Sequence, residues 1–166
     1  MSDELFEALM DGELEQAKQL ISQGDDIQKI TENEQWTYLH KILLSMREKT
    51  PIESIQFLLD KGLDVNAIER GGYTPLIFAV RQRNVAAMRL LLDNGAVDFI
   101  EHENEEGVSA LRMGLVGKPY IYEVLEVLLE YGADPDKKSK GGTTVRERLN
   151  VVAGIPPEIH QLFERY

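Results

Sequence analysis

Four short segments of this chain end alike. An aliphatic pair, two further residues and a glycine make LISQG (20–24), LLDKG (58–62), LLDNG (91–95) and LLEYG (128–132), so the glycines lie 38, 33 and 37 residues apart. A second series runs out of phase with the first: TYLH from Thr37, TPLI from Thr74, SAL from Ser109 and a decayed TVR from Thr144, with starts 37, 35 and 35 residues apart. Two interleaved series with one common period define a repeated unit of one supersecondary size. A unit this short cannot bury its own apolar face, so the chain can complete a core only by stacking successive copies.

The unit can be read residue by residue. In ESIQFLLDKG, Ile55, Leu58 and Leu59 recur at i, i+3 and i+4, which is one face of a helix. Gly62 then supplies the left-handed residue that ends it. In YTPLIFAV, Thr74 suits an N-cap and Pro75 the first helical turn, where its missing N–H costs nothing. Leu76, Ala79 and Val80 form the apolar stripe of this shorter helix. Each unit is therefore helix, turn, helix, glycine stop, then a polar connector holding a second glycine at Gly72, Gly107 or Gly142. In the first full connector Gln35 replaces that glycine.

With Gly72-Tyr-Thr-Pro-Leu76, Leu91-Leu-Asp-Asn-Gly-Ala96 and Leu58-Leu-Asp-Lys-Gly-Leu-Asp-Val-Asn66, the chain resembles the ankyrin repeat family. The opening SDELFEALMDGELEQAKQLISQGDDI fits too, with Gly12 between helices and Gly24 at the end of the second. The resemblance implies an all-α solenoid of helix-turn-helix units joined by extended connectors. It divides residues 1–166, taken as a single domain, at about 3–31, 32–68, 69–103, 104–140 and a C-terminal capping unit 141–166. It also implies that His40, in TYLH, hydrogen-bonds neighbouring loop backbone. A small stand-alone array of bacterial type is the expectation.

Departures from the pattern mark specific places. Leu39 to Leu58 is 19 residues and Leu111 to Leu128 is 17, against 15 from Leu76 to Leu91. REKTPIES (47–54) and Gly117-Lys-Pro119 are therefore predicted to lengthen the turns between helices. After Gly95-Ala96 the chain reads Val-Asp-Phe-Ile, which implies an insertion.

Charge and composition exclude several function classes. A net charge of −11 opposes nucleic acid and anionic membrane surfaces. Without cysteine, disulfides, thiol catalysis and cysteine zinc sites are ruled out. MSDELFEALM has neither the basic start nor the apolar run of a secretory signal, so a cytoplasmic protein is expected. In DFIEHENEEG (98–107), Glu106 stands where H-E-x-x-H needs its second histidine. Around Gly117-Lys118 a phosphate loop fails, because Arg112 replaces its first glycine and Pro119 its Ser/Thr. No enzyme activity and no cofactor are expected.

What remains is surface. Residues 1–34 hold ten acids and two bases, leaving only −3 of the −11 for the rest of the chain. The 98–106 connector is a second acidic focus, with Glu101, Glu103 and Glu105 able to share one side. Ankyrin repeats bind through connector tips and the inner face of their first helices. Carried over, those surfaces are Glu34, Trp36, Tyr38, Glu69, Arg70, Tyr73, Arg81, Gln82, Glu101, Glu103, Glu105 and Val108. The expectation is non-catalytic recognition of a basic protein by a chain that is monomeric before binding. Two alternatives stand beside it: an immunity or inhibitor protein neutralising a basic toxin, and a calcium- or metal-regulated protein using connector 98–106.

Overall fold

A computed structural model describes residues 1–46 and 48–166. Among the described residues there are ten α-helices, one 3-10 turn and no strand. The helices come in pairs: α1 (Asp3–Met10) and α2 (Leu14–Ser22), α3 (Tyr38–Leu43) and α4 (Ile52–Asp60), α5 (Pro75–Arg81) and α6 (Val85–Asp93). They continue with α7 (Ala110–Met113) and α8 (Tyr122–Glu130), then α9 (Val145–Val151) and α10 (Pro157–Phe163).

Both series of sequence signals have a structural role. Thr37, Thr74, Ser109 and Thr144 cap their helices, each hydroxyl accepting a backbone N–H three residues on. Ser2 does the same for α1 without any motif to announce it. Gly24, Gly62, Gly95 and Gly132 stop the second helices at φ between 81° and 117°. After three of them, Asp25, Leu63 and Ala133 donate their N–H back to Leu20, Leu58 and Leu128, the six-to-one closure of a Schellman motif.

The first helices α1, α3, α5 and α7 pack side by side, the second helices α2, α4, α6 and α8 form a parallel row, and α10 closes against α8. The core runs continuously between the rows, with Leu39, Ile55, Leu58, Met88, Leu91, Leu125 and Leu128 all at 0% exposure. Each such side chain contributes roughly 1.5–3 kcal/mol of burial. A stack of short helices, six to nine residues long in α3 to α6, stands on that shared core, since isolated helices of this size are marginal.

His40 links two units. Its Nδ1 accepts the Thr37 N–H, which leaves Nε2–H to donate to the Ala67 and Tyr73 carbonyls at 3.1 and 3.2 Å. Burial pushes the imidazole below its ordinary pKa. The connector tips also touch: a Cβ on Gly72 would come within 3.0 Å of the Asn104 Cα, and Gly72 sits at φ 82°, so glycine is required there twice over. In the first tip Gln35 takes the left-handed conformation at φ 60° without being glycine. The insertion after Gly95 is absorbed by the 3-10 turn Ala96–Phe99.

Two turns between helices are long. Residues 44–51 join α3 to α4 and residues 114–121 join α7 to α8, whereas residues 82–84 suffice between α5 and α6. These are the places where the residue spacing predicts added length. Arg47, in REKTPIES, lies outside the described residues.

Candidate functional site: a groove between two long turns

The two long turns stand on either side of the short turn between α5 and α6, and the space between them is a groove of about 550 Å³. Pockets that take small ligands or a few side chains run to roughly 300–1,000 Å³. The floor is α5, which presents Ile77, Phe78 and Arg81 with Tyr73 just before it. Leu44 and Met46 form one wall, and Met113, Val116 and Lys118 the other. Trp36 and Glu69 stand at the connector end. Met46 and Val116 are half exposed, at 53% and 49%, as apolar side chains offered to solvent.

The floor is rigid because it is supported from below. The Phe78 ring meets the His40 ring edge-on at a centroid distance of 5.6 Å and the Tyr73 ring at 5.9 Å. Glu69 is buried, and its Oε1 accepts the Tyr73 N–H at 2.9 Å. The Trp36 indole N–H is shielded from solvent and has no acceptor among the described residues.

Both walls are fastened to the short turn between them, residues 82–84. On one side the Gln82 amide donates to the carbonyls of Ser45 and Glu48 and accepts the Thr50 N–H, while Asn84 donates to the Thr50 carbonyl. On the other, the Arg83 guanidinium donates to the carbonyls of Pro119 and Gly117 at 3.1 and 3.3 Å. Arg83 itself adopts φ 54°, a left-handed backbone uncommon outside glycine. The sequence Gln82-Arg83-Asn84 is thus a clasp that holds both long turns at a set separation. Gln82 and Asn84 are buried, so removing either would strand backbone groups without partners.

The expected contact residues divide accordingly. Trp36, Glu69, Tyr73 and Arg81 come together in the groove. Glu34 and Arg70 lie exposed on adjacent tips, where the Arg70 N–H donates to the Glu34 carbonyl. Two corrections concern Tyr38 and Gln82. Tyr38 is fully buried and its hydroxyl accepts the Ser2 N–H at 3.0 Å, so it anchors the N-terminus and presents no exposed side chain. Burial raises its phenol pKa. Gln82 faces inward because its amide is committed to the clasp. Val108 is half-buried beside Asn104, whose Oδ1 accepts its N–H.

The acidic connector turns towards the chain itself. Glu101 Oε1 accepts the Asp134 N–H at 2.7 Å and Oε2 pairs with Lys137 at 3.4 Å. Glu103 Oε2 accepts the Lys140 N–H at 2.9 Å. Glu101 and Glu103 do share a side, and that side faces the basic connector KKSKGG. Glu105 is exposed beyond them at the tip. Among the described residues no three His, Asp or Glu side chains converge as metal ligands would.

The groove-lining residues missed in the sequence are Leu44, Met46, Ile77, Phe78, Arg83, Met113, Val116, Gly117 and Lys118. The unequal spacings 19, 15 and 17 were the available signal. Two long turns flanking a short one must form opposite walls once the units stack side by side.

Comparison with known proteins agrees with this architecture. The family model described as ankyrin repeats (3 copies) matches residues 5–101 and 42–139. The human transient receptor potential cation channel subfamily A member 1 is 32% identical over 123 residues, covering 70% of this chain and 11% of the channel. The ankyrin repeat, SAM and basic leucine zipper domain-containing protein 1 of Neofelis nebulosa is 34% identical over 85 residues, or 51% of this chain and 18% of that protein. Zygote-specific protein 3 of Chlamydomonas reinhardtii is 28% identical over 121 residues, 73% of this chain and 31% of that one. The chain thus spans less than a third of each of these relatives. Ankyrin repeats generally mediate protein–protein interaction and typically do so without catalysis. No helix among the described residues is long and apolar enough to cross a membrane. With its repeated helix pairs and a family match across most of its length, this chain belongs to the ankyrin repeat family.

Proposed function

We propose that the chain is a stoichiometric protein-recognition module, without cofactor, that receives a segment of its partner in the groove between the two long turns. The carrying observation is the clasp: Gln82, Arg83 and Asn84 fix both walls around exposed apolar Met46 and Val116. Drifted loops need no such bracing. Side chains held at a set separation lose less freedom on binding, which favours affinity. The test is affinity purification with the wild-type chain and with Met46→Asp/Val116→Asp, two exposed positions whose change leaves the core alone. A partner retained by the first and lost by the second supports the reading. Partners recovered equally by both would refute it.

A second reading is favoured by a different observation. Of the ten acids in residues 1–34, all but the half-buried Asp25 are exposed, so the first helix pair carries a dense negative surface. A basic protein, such as a toxin held by an inhibitor or immunity protein, would be steered towards it. That binding should weaken steeply between low and physiological salt. Indifference to salt removes this reading.

A further inference from the structure

We infer that the segment taken by the groove is itself acidic and apolar: one or more carboxylates beside aliphatic or aromatic side chains. The inference rests on the groove being the binding site. Its argument is the charge of the lining. Arg81 and Arg83 border the groove, against a single acid, Glu69; Lys118 lines it too, but its ammonium lies beside Gly154 on the far side of the 114–121 turn. None of these four makes a salt bridge among the described residues. The Glu69 carboxylate is turned to the Tyr73 N–H, and the Arg83 guanidinium is bonded to two neutral carbonyls. The groove is therefore a local positive site in a chain whose net charge is −11.

An occupant must satisfy two demands at once. Ile77, Phe78, Tyr73, Met46 and Val116 ask for apolar side chains, and the methionine pair Met46 and Met113 can adapt to their shape. Docking such side chains displaces water from Arg81, which is exposed in the free chain. A purely apolar segment would leave that charge desolvated and unpaired, which is costly. A basic segment would add like charge to the same space. A carboxylate restores what the water supplied, and the planar fork of Arg81 can bind it through two hydrogen bonds. The chemistry selects an acidic segment although the protein as a whole is acidic.

The experiment is selection of random dodecapeptides displayed on phage against three immobilised full-length chains. These are the wild type, Met46→Asp/Val116→Asp, and Arg81→Glu, each checked for an unchanged thermal midpoint. Wild type should enrich peptides in which Asp or Glu adjoins Leu, Ile, Phe or Met. A synthetic copy of such a peptide should bind Arg81→Glu at least tenfold more weakly, about 1.4 kcal/mol. Replacing the peptide's carboxylates by lysine should recover that loss on the reversed chain. Enriched peptides without acids, or binding within twofold on the charge-reversed chain, would overturn the charge inference. In that outcome the groove reading survives if Met46→Asp/Val116→Asp still loses the peptide. No enrichment relative to Met46→Asp/Val116→Asp overturns the groove reading and this inference together.

Discussion

In the acidic connector and in the concave groove, charges of opposite sign have opposite fates. Glu101 and Glu103 end on the backbone N–H groups and lysines of the following connector. Arg81 borders the open groove and makes no salt bridge among the described residues. In sequence the two glutamates belong to the most conspicuous acidic run, whereas Arg81 is a single expected contact outside any charge cluster. The difference teaches that a count of charges says little about which are available. The connector carboxylates are part of how one unit holds the next, and the Arg81 guanidinium remains to be used.

The comparison can be strained from the scaffold upward. His40→Ala removes the ring under Phe78 and leaves the Ala67 and Tyr73 carbonyls without their donor, so stability should fall by about 2–4 kcal/mol in chemical denaturation. The same residue sets a pH dependence. Burial lowers its pKa from 6.5, so the unfolded chain binds more protons there than the folded one. Its contribution is complete above about 6.5 and is lost as pH falls from there through the lowered value. The wild type should lose more stability across that window than His40→Ala does. An equal loss in both would show that His40 is not the titrating group.

Gln82→Ala opens the clasp on one side and should cost about 1–3 kcal/mol, with faster amide exchange at Thr50, whose N–H it accepts. Normal exchange at Thr50 would mean that the 44–51 turn holds itself. Arg83→Ala frees the other wall at a smaller cost, about 0.5–1.5 kcal/mol, because the guanidinium is partly exposed. Glu101→Gln/Glu103→Gln should change stability by no more than about 1 kcal/mol, an effect that fades in high salt, and should leave groove binding unchanged. Loss of groove binding in that variant would erase the distinction between the two regions. The smallest effect on stability, within about 0.5 kcal/mol, is expected for Arg81→Glu, which should nevertheless weaken binding.

The fold was largely legible because each unit repeats a strong local signal. A threonine or serine cap and a helix-ending glycine act on their own backbone, so the residue alone announces the geometry. Thr74 and Gly62 needed nothing distant to be read correctly. The groove was legible only as an unequal spacing. That 19 and 17 residues flank 15 announces two longer turns, but their mutual facing is a property of the stack. Tyr38 was misread for the same reason. Its place beside Trp36 in the motif resembles that of a tip residue, yet α3 turns it under the N-terminus, where Ser2 meets its hydroxyl. Gln82 offers no sequence sign that its amide serves a turn some 34 to 37 residues earlier. Likewise Glu101 and Glu103 lie more than 30 residues from the backbone they hold.

The chain has a single tryptophan, and it stands at the end of the groove. Trp36 emission therefore reports on the groove and on no other part of the surface. Titrating the full-length chain with a fluorescein-free selected peptide, while measuring its Kd independently by calorimetry, tests where recognition occurs. The account predicts that Trp36 emission shifts and that acrylamide quenching falls, both saturating with the calorimetric Kd. Tight calorimetric binding with unchanged Trp36 emission and quenching would place recognition elsewhere and contradict it.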